Sequence, residues 1–267
     1  MLKLLVIGGG KMGEALLGGL LAAGWAEPAD IGVVEKLAER RAELAAAYRG
    51  VVVLEDLAAC EGALLAVKPN DVAGVCAGLA KASARPLRIL SIAAGVTTPA
   101  IEAAFATGAM PAVVRAMPNT PALVGAGVAA IAPGSAAGEA DLAWAEAILG
   151  AVGTVVRVSE GQLDAVTGLS GSGPAYVFLV AEALIEAGVL VGLARPIATQ
   201  LAVGTIAGAA ALMANSDRSP GELRGDVTSP GGTTAAGLRA LEDRAVRAAF
   251  LAAVADATAR SAELGKA

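Results

Sequence analysis

The chain has 267 residues, 56% of them apolar and 17% charged, with a net charge of −5. That length holds one large or two ordinary domains around a sizeable core, and so apolar a composition excludes a disordered chain. The acidic balance, without a long basic run, argues against nucleic acid and favours a small-molecule partner. Cys60 and Cys76 are the only cysteines and there is no histidine, which points to the reducing cytoplasm and to no metal site.

The N-terminus reads as a strand, Leu2 to Ile7, followed at once by GGGKMG (8–13). Lys11, Glu14 and the glycines before Trp25 interrupt any signal-peptide hydrophobic region, so strand, glycine loop and helix is the better reading. Gly8, Gly10 and Gly13 fit the G-x-G-x-x-G spacing. The first glycine permits the tight turn, the second lets backbone approach a pyrophosphate, and the third lets helix and strand pack closely. Further strands are expected at Ile31 to Val34, Val51 to Leu54, Ala63 to Val67, Leu87 to Ile92, Ala112 to Met117, Val128 to Ile131 and Thr154 to Val158. Helical runs such as Met12 to Ala23 and Leu37 to Tyr48 alternate with the first of them. The alternation predicts an α/β fold with a doubly wound parallel sheet, and a mixed or antiparallel edge where connections shorten near Pro118 to Gly127.

Glu35 closes the second strand, where a dinucleotide fold places the side chain that meets the adenosine ribose. A carboxylate there accepts from the ribose hydroxyls and repels a 2′-phosphate. Lys36, Arg40 and Arg41 pull the other way: they can neutralise the phosphate of NADPH, or they are solvated charges on the first turns of a helix. The pocket leans toward NADH and leaves NADPH open.

Beyond Glu160 the strand signals stop. Gly171 to Gly192, Pro196 to Asn215, Pro220 to Asp226, Thr233 to Glu242 and Asp243 to Gly265 are the candidate helices, bounded by Pro, Gly, Ser and Asp. The expected division is therefore 1–160 for dinucleotide binding and 161–267 for a helical domain. Pro174 to Ala194 is long and apolar enough to span a bilayer, yet Glu182 and Glu186 fall inside it on one face, which favours an interfacial helix of a soluble protein. Gly204 and Gly208 share a face that allows close approach of another helix, either within the monomer or from a second chain.

Val227 to Glu242 reads VTSPGGTTAAGLRALE, a glycine- and hydroxyl-rich turn entering an Ala-rich amphipathic helix. Gly231 and Gly232 can adopt backbone angles that a Cβ would forbid, and Ser229, Thr233 and Thr234 set hydroxyls beside the free N–H groups of the helix start. Such an arrangement attracts a carboxylate or phosphate. The competing reading is an ordinary helix with Thr as its cap and Pro-Gly-Gly as its turn.

IGGGKMG (7–13), AVKP (66–69), SIAAGV (91–96), RAMPNTPALVGAG (115–127), TGLSGSGPAYVF (167–178) and VTSPGGTT (227–234) occur in series along essentially the whole chain. In order and spacing they resemble the pyrroline-5-carboxylate reductase family. The resemblance implies a Rossmann-like N-terminal domain, an all-α C-terminal dimerisation domain, and reduction of 1-pyrroline-5-carboxylate to L-proline with NADPH or NADH in the cytoplasm. It also implies a homo-oligomer built from dimers, often a ring of them. Mapped by position, Ile7, Gly8, Gly9, Gly10, Lys11 and Met12, with Gly13 behind them, serve the pyrophosphate, and Glu35 and Lys36 the adenosine end. Ala66, Val67, Lys68 and Pro69, with Ile92, Ala93 and Ala94, line the nicotinamide side. Ser229, Gly231, Gly232 and Thr233 hold the substrate carboxylate, and Thr234 serves the ring nitrogen as the catalytic candidate. Relatives commonly carry small polar or basic residues where Glu35 stands, so this chain departs from the pattern behind the usual NADPH preference.

Several residues keep two readings. Lys68 is a solvated strand-end lysine or a cofactor contact, and Asn119 shapes the turn between Pro118 and Pro121. Ser170 or Ser172 caps the helix that follows, and Asp217 is a partner for an iminium or, more often at such a place, a surface acid. Without histidine, imine reduction must rest on orientation of a substrate whose nitrogen binds protonated. A hydroxy-acid dehydrogenase would want a catalytic Lys or His, and the C-terminal domain has no lysine before Lys266. A nucleotide-sensing protein would bind NADH without oxidising it.

Overall fold

The computed structural model describes residues 1–82, 85–105 and 109–265; Lys266 lies outside them. Eight strands form one sheet: β1 (Leu2–Ile7), β2 (Ile31–Val34), β3 (Val52–Leu54), β4 (Cys60–Leu65), β5 (Arg88–Ser91), β6 (Ala112–Met117), β7 (Gly127–Pro133) and β8 (Gly153–Arg157). Their order is β3-β2-β1-β4-β5-β6-β7-β8. Neighbours pair in parallel except β6 and β7, which run antiparallel. The exception lies where the sequence placed it. The connection after Met117 holds only a 3₁₀ turn, Thr120–Val124, too short for the crossover that a parallel return requires.

The helices of this part are α1 (Lys11–Ala22), α2 (Ala38–Ala47), α3 (Val72–Ala82), α4 (Thr98–Ala103), α5 (Glu139–Leu149) and α6 (Leu163–Val166). Strand β1 explains why both faces of the sheet are covered. Its residues alternate sides, so Leu4 and Val6 join a core with Leu16, Leu17 and Leu20 of α1 and Ile148 of α5, while Leu5 and Ile7 join another with Val72, Cys76 and Leu79 of α3 and Ile101 of α4. Each fully buried Leu or Ile contributes about 1.5–3 kcal/mol, which makes this sheet the source of most of the stability. The chain order reverses at β1, flanked by β2 and β4, and an open α/β sheet binds ligands beyond the strand ends at such a point.

The remaining helices are α7 (Gly173–Leu190), α8 (Arg195–Ala214), α9 (Pro220–Asp226), α10 (Thr233–Glu242) and α11 (Val246–Leu264). The chain divides into two compact units, one of Met1–Ser172 with the C-terminal segment from Ala255, the other Gly173–Val254. The first extends past the end of the strands because Leu163 packs on Ala130 and Ala132 of β7. The end of α11 returns to it, with the Ser261 hydroxyl donating to Asp164 Oδ1 at 2.7 Å. In the second unit α7 and α8 form a hairpin, closed by a bidentate pair between Arg195 and Glu186 at 2.8 and 3.1 Å.

Two local expectations are corrected. No cap falls at Ser170 or Ser172: the helix runs through a π-helical turn, Thr167–Gly171, in which Ser170 Oγ donates to Val166 O at 3.1 Å and Ser172 N–H to Thr167 O at 2.8 Å. The serines satisfy the helix backbone from within. The last helix begins at Val246 rather than Asp243, because Ala245 takes a left-handed φ of 53° that ends one helix before the next starts.

Candidate active site

The glycine loop sits at the C-terminal edge of β1. Gly8 has φ +108°, and a Cβ there would lie 2.6 Å from Ala66 O and 2.8 Å from Ala66 C, so only glycine lets β1 turn this close to the end of β4. A Cβ on Gly13 would run into Gly8 O, whereas one on Gly10 would meet no atom of the described residues within 4 Å. The loop is thus closed toward the sheet and open at Gly10, which is the N-cap of α1 and has no side-chain cap. The first N–H groups of that helix have no intrahelical partner. An open cradle with free donors fits a dinucleotide pyrophosphate.

Strand pairing sets where the residues expected on the nicotinamide side leave the sheet. Ile7 pairs with Leu65, and Leu65 with Ser91, so Ala66, Val67, Lys68 and Pro69 and then Ile92, Ala93 and Ala94 leave the sheet along one edge. Their exposure differs. Lys68, Pro69 and Ala94 are exposed, while Ala93 is 4% and Ile7 2% exposed. The Ile7 side chain belongs to the core, and its carbonyl accepts from Ala66 N–H at 2.9 Å, which leaves its role as part of the frame. Lys11 and Lys36 are exposed, and Met12 is half-buried.

Glu35 is fixed by backbone donors: Gly9 N–H reaches Oε2 and Leu37 N–H reaches Oε1, each at 3.0 Å. Neither arginine is a free solvated charge. Arg40 donates through Nε to Gly9 O at 2.9 Å, through Nη1 to Glu43 at 2.6 Å and through Nη2 to Glu14. Glu43 first, then Glu14, raise its pKa. Arg41 donates to the carbonyls of Glu35 and Lys36 at 2.9 and 2.7 Å and to Glu55 at 2.8 Å. Glu14 also takes the Tyr48 hydroxyl at 3.4 Å. Burial first, then the Glu14 charge, push the Tyr48 phenol above its ordinary pKa. These carboxylate partners were not singled out from sequence; the only signal was acids at Glu14 and Glu43 flanking the loop and the arginines.

The SPGGTT turn stands by itself in the second unit. Gly231 has φ +70°, and Gly232, not a threonine, is the N-cap of α10, with no side-chain cap. Gly232 N–H donates to Ser229 O at 3.0 Å, and a Cβ on Gly232 would collide with Ser229 Oγ. The reading of an ordinary Thr-capped helix is therefore set aside. Ser229 and Thr233 are exposed and Thr234 is half-buried, so hydroxyls and orphan N–H groups lie together at one helix start. Asp217 is exposed.

Two buried polar clusters support the sheet edge. Asn119, 8% exposed, accepts from Val128 N–H at 2.8 Å and donates to Ser170 O at 3.1 Å, tying the MPNTP turn to the π-helical turn rather than only shaping its own loop. Glu160 accepts from Thr98 N–H at 2.6 Å, from the Thr98 hydroxyl at 2.5 Å and from Arg115 at 3.3 Å. Both clusters join residues distant in sequence, which no local pattern announces. Burial pushes the thiols of Cys60 and Cys76 up to about 11, so neither serves as a nucleophile near neutral pH. Among the described residues no group of acids and cysteines could hold a metal ion.

The arrangement provides one helix start with a glycine N-cap and no side-chain cap in each unit, a geometry suited to an anion, and with no histidine no acid–base side chain of ordinary pKa near 7. Comparison with known proteins gives this chemistry a family. Residues 160–264 match the family model described as pyrroline-5-carboxylate reductase dimerisation, and residues 3–95 match that of NADP oxidoreductase, coenzyme F420-dependent. The chain is 47% identical to pyrroline-5-carboxylate reductase of Synechocystis sp., over 99% of both chains. It is 45% identical to that of Mycobacterium tuberculosis, over 99% of this chain and 97% of the relative. The solved structure of a pyrroline-5-carboxylate reductase from Coxiella burnetii superposes with a TM-score of 0.92 at 37% identity, covering 98% of each chain. The Plasmodium falciparum enzyme, solved with NADP bound, superposes with 0.86 at 28% identity, covering 99% of this chain and 98% of its own. With a Rossmann-like nucleotide-binding domain, a helical dimerisation domain and this extent of identity, the chain belongs to the pyrroline-5-carboxylate reductase family.

Proposed function

We propose that this chain reduces 1-pyrroline-5-carboxylate to L-proline, the last step of proline biosynthesis, with the substrate carboxylate held at the start of α10. The observation that carries the substrate site is the Gly232 N-cap without a side-chain cap, next to the Ser229 hydroxyl and the left-handed Gly231. Ser229, Gly231, Gly232 and Thr233 anchor the carboxylate through N–H and O–H donors, and charge-assisted bonds of this kind contribute about 1.5–3 kcal/mol each. Thr234, one residue deeper, hydrogen-bonds the ring nitrogen. The cofactor, NADPH or NADH, supplies hydride to the ring carbon of the C=N bond. The nitrogen arrives protonated and keeps its proton as the iminium becomes the amine, so no histidine is needed.

The loop of Gly8, Gly9, Gly10, Lys11, Met12 and Gly13 takes the pyrophosphate, Glu35 and Lys36 the adenosine end, and Ala66, Val67, Lys68, Pro69, Ile92, Ala93 and Ala94 the nicotinamide side. Residues 1–160 then serve the cofactor, and residues 161–267 serve substrate and dimerisation. The protein works in the cytoplasm as a homo-oligomer built from dimers, with neither nucleic acid nor membrane as a partner. What supports this is the apolar surface of α7 and α8: Phe178, Leu179, Leu201 and Leu212 are 55–65% exposed, and both helices are long and apolar enough to cross a membrane. A second copy covers that surface without placing Glu186 and Arg195 in lipid. Purified protein supplied with 1-pyrroline-5-carboxylate should oxidise NADH or NADPH one-for-one with proline formed. A folded protein that makes no proline with either coenzyme refutes the reading.

A further inference from the structure

We propose that this chain selects NADH over NADPH through a two-part acidic filter, in which Glu35 presents a fixed carboxylate to the ribose edge while Glu14, Glu43 and Glu55 keep Arg40 and Arg41 from a 2′-phosphate. The proposal rests on the glycine loop being a dinucleotide site, and it goes further by assigning the arginines to the protein rather than to the ligand.

The first part follows from how Glu35 is held. Both oxygens accept a backbone N–H at 3.0 Å, one from Gly9 in the loop itself, so the carboxylate cannot swing aside for a second anion. Each oxygen keeps further lone pairs, which suit the 2′- and 3′-hydroxyls of an unphosphorylated ribose. A 2′-phosphate offers only acceptors and about −1.5 to −2 of charge. Facing Glu35 it meets repulsion where the hydroxyls would donate.

The second part concerns the cations that should relieve that repulsion. All three guanidinium nitrogens of Arg40 are engaged, by Gly9 O, Glu43 and Glu14. Arg41 is spent on the Glu35 and Lys36 carbonyls and on Glu55. Three carboxylates thus engage two guanidinium groups, and Lys36 alone of the three candidate cations is not held in this way. Arg40 bridges Gly9 O in the loop to Glu14 on α1, which makes it a positioning residue for the pyrophosphate cradle. A phosphate that recruited Arg40 would have to loosen the loop that binds the rest of the dinucleotide. Glu43 and Glu55 are 63% and 66% exposed, so their pairs are individually weak and removable without unfolding.

The test uses binding of two coenzyme fragments to the full-length protein, ADP-ribose and 2′-phospho-ADP-ribose, by titration calorimetry, so turnover is not needed. The parent should bind ADP-ribose at least ~10-fold more tightly. Glu35→Gln, which deletes the charge and keeps one acceptor, should reduce that preference by ~5–30-fold, and Glu35→Ser should do the same with more room. Adding Glu43→Gln and Glu55→Gln should strengthen the phosphorylated ligand by a further ~2–5-fold. Arg40→Met should weaken both ligands by the same factor, because its role is to hold the loop. A loss confined to the phosphorylated ligand would make Arg40 a phosphate ligand and overturn the second part. Equal or tighter binding of 2′-phospho-ADP-ribose by the parent overturns the filter and leaves the dinucleotide site standing, whereas binding of neither fragment removes both.

Discussion

Two glycines of one motif should fail in different ways. At Gly8 a Cβ would stand 2.6 Å from Ala66 O, where ordinary contact begins at 3.4 Å, so loop or strand end must give way by ~0.8 Å in a close-packed region. The φ of +108° adds strain that only glycine avoids. Overpacking at about 1–3 kcal/mol and backbone strain at about 1–2 kcal/mol put Gly8→Ala at a loss of ~2–5 kcal/mol. At Gly10 the backbone is extended, φ −71° and ψ 179°, and an added Cβ meets nothing within 4 Å among the described residues. Gly10→Ala should therefore cost under ~1 kcal/mol, the difference between glycine and alanine as an N-cap. Yet that methyl stands in the open mouth of the cradle, where backbone and pyrophosphate must approach, so NADH should bind at least ~10-fold more weakly. Urea unfolding measures the first effect and fluorescence titration with NADH the second. If Gly10→Ala binds NADH as tightly as the parent while remaining folded, the pyrophosphate does not pass this point and the cradle reading fails.

The substrate site should separate along the same lines: Thr234→Ala should lower turnover more than it weakens substrate binding, while Thr233→Val should mainly raise KM, by the ~10-fold or more that a charge-assisted hydrogen bond represents. Steady-state kinetics decides it, and full turnover in Thr234→Ala would make that hydroxyl a second anchor. Glu160→Ala should destabilise the first unit by about 3–5 kcal/mol, because it leaves Arg115, 7% exposed, without its carboxylate; a change below ~1 kcal/mol in urea unfolding would show that water compensates the charge. Gly208→Leu should leave the protomer unstrained, since among the described residues no atom outside its own helix backbone lies within 4 Å of a Cβ there. Its cost should appear as weakened association, read as concentration-dependent sedimentation, and an unchanged assembly would move the dimer contact off that face.

Legibility in the sequence followed the range of the interactions. Strand β1 could be read because a buried parallel strand must be apolar on both faces, and Gly8, Gly10 and Gly13 because their spacing is a local pattern, although the atoms that exclude a Cβ at Gly8 belong to the distant Ala66 and only Gly13 is crowded by a near neighbour, Gly8 O. The antiparallel β7 could be read from the short link after Met117. Local patterns misplaced the starts of α7 and α11, since the π-helical turn and the left-handed Ala245 depend on what surrounds them. Arg40 and Arg41 looked like ligands for a phosphate or charges in water because their partners, Glu14 and Glu55, lie on other elements. For the same reason Asn119 looked like a turn residue until Ser170 was brought to it.

Both of the proposed anion sites are made of backbone, and that choice bears on the chemistry. The starts of α1 and α10 each have glycine as N-cap and no side-chain cap, so the first N–H groups of each helix have no intrahelical partner. A cradle of N–H groups carries no proton that titrates, and helix-start donors lose little entropy because the helix already fixes them. The chain also has no histidine, and burial pushes its two thiols up to about 11. Over the neutral range the proton that matters is then the one on the imine nitrogen, which belongs to the substrate. On the proposed reading orientation is the protein's contribution, and an imine that arrives as a cation asks for little else: its charge makes the carbon electrophilic, and a carboxylate held at the start of α10 would set which carbon meets the hydride.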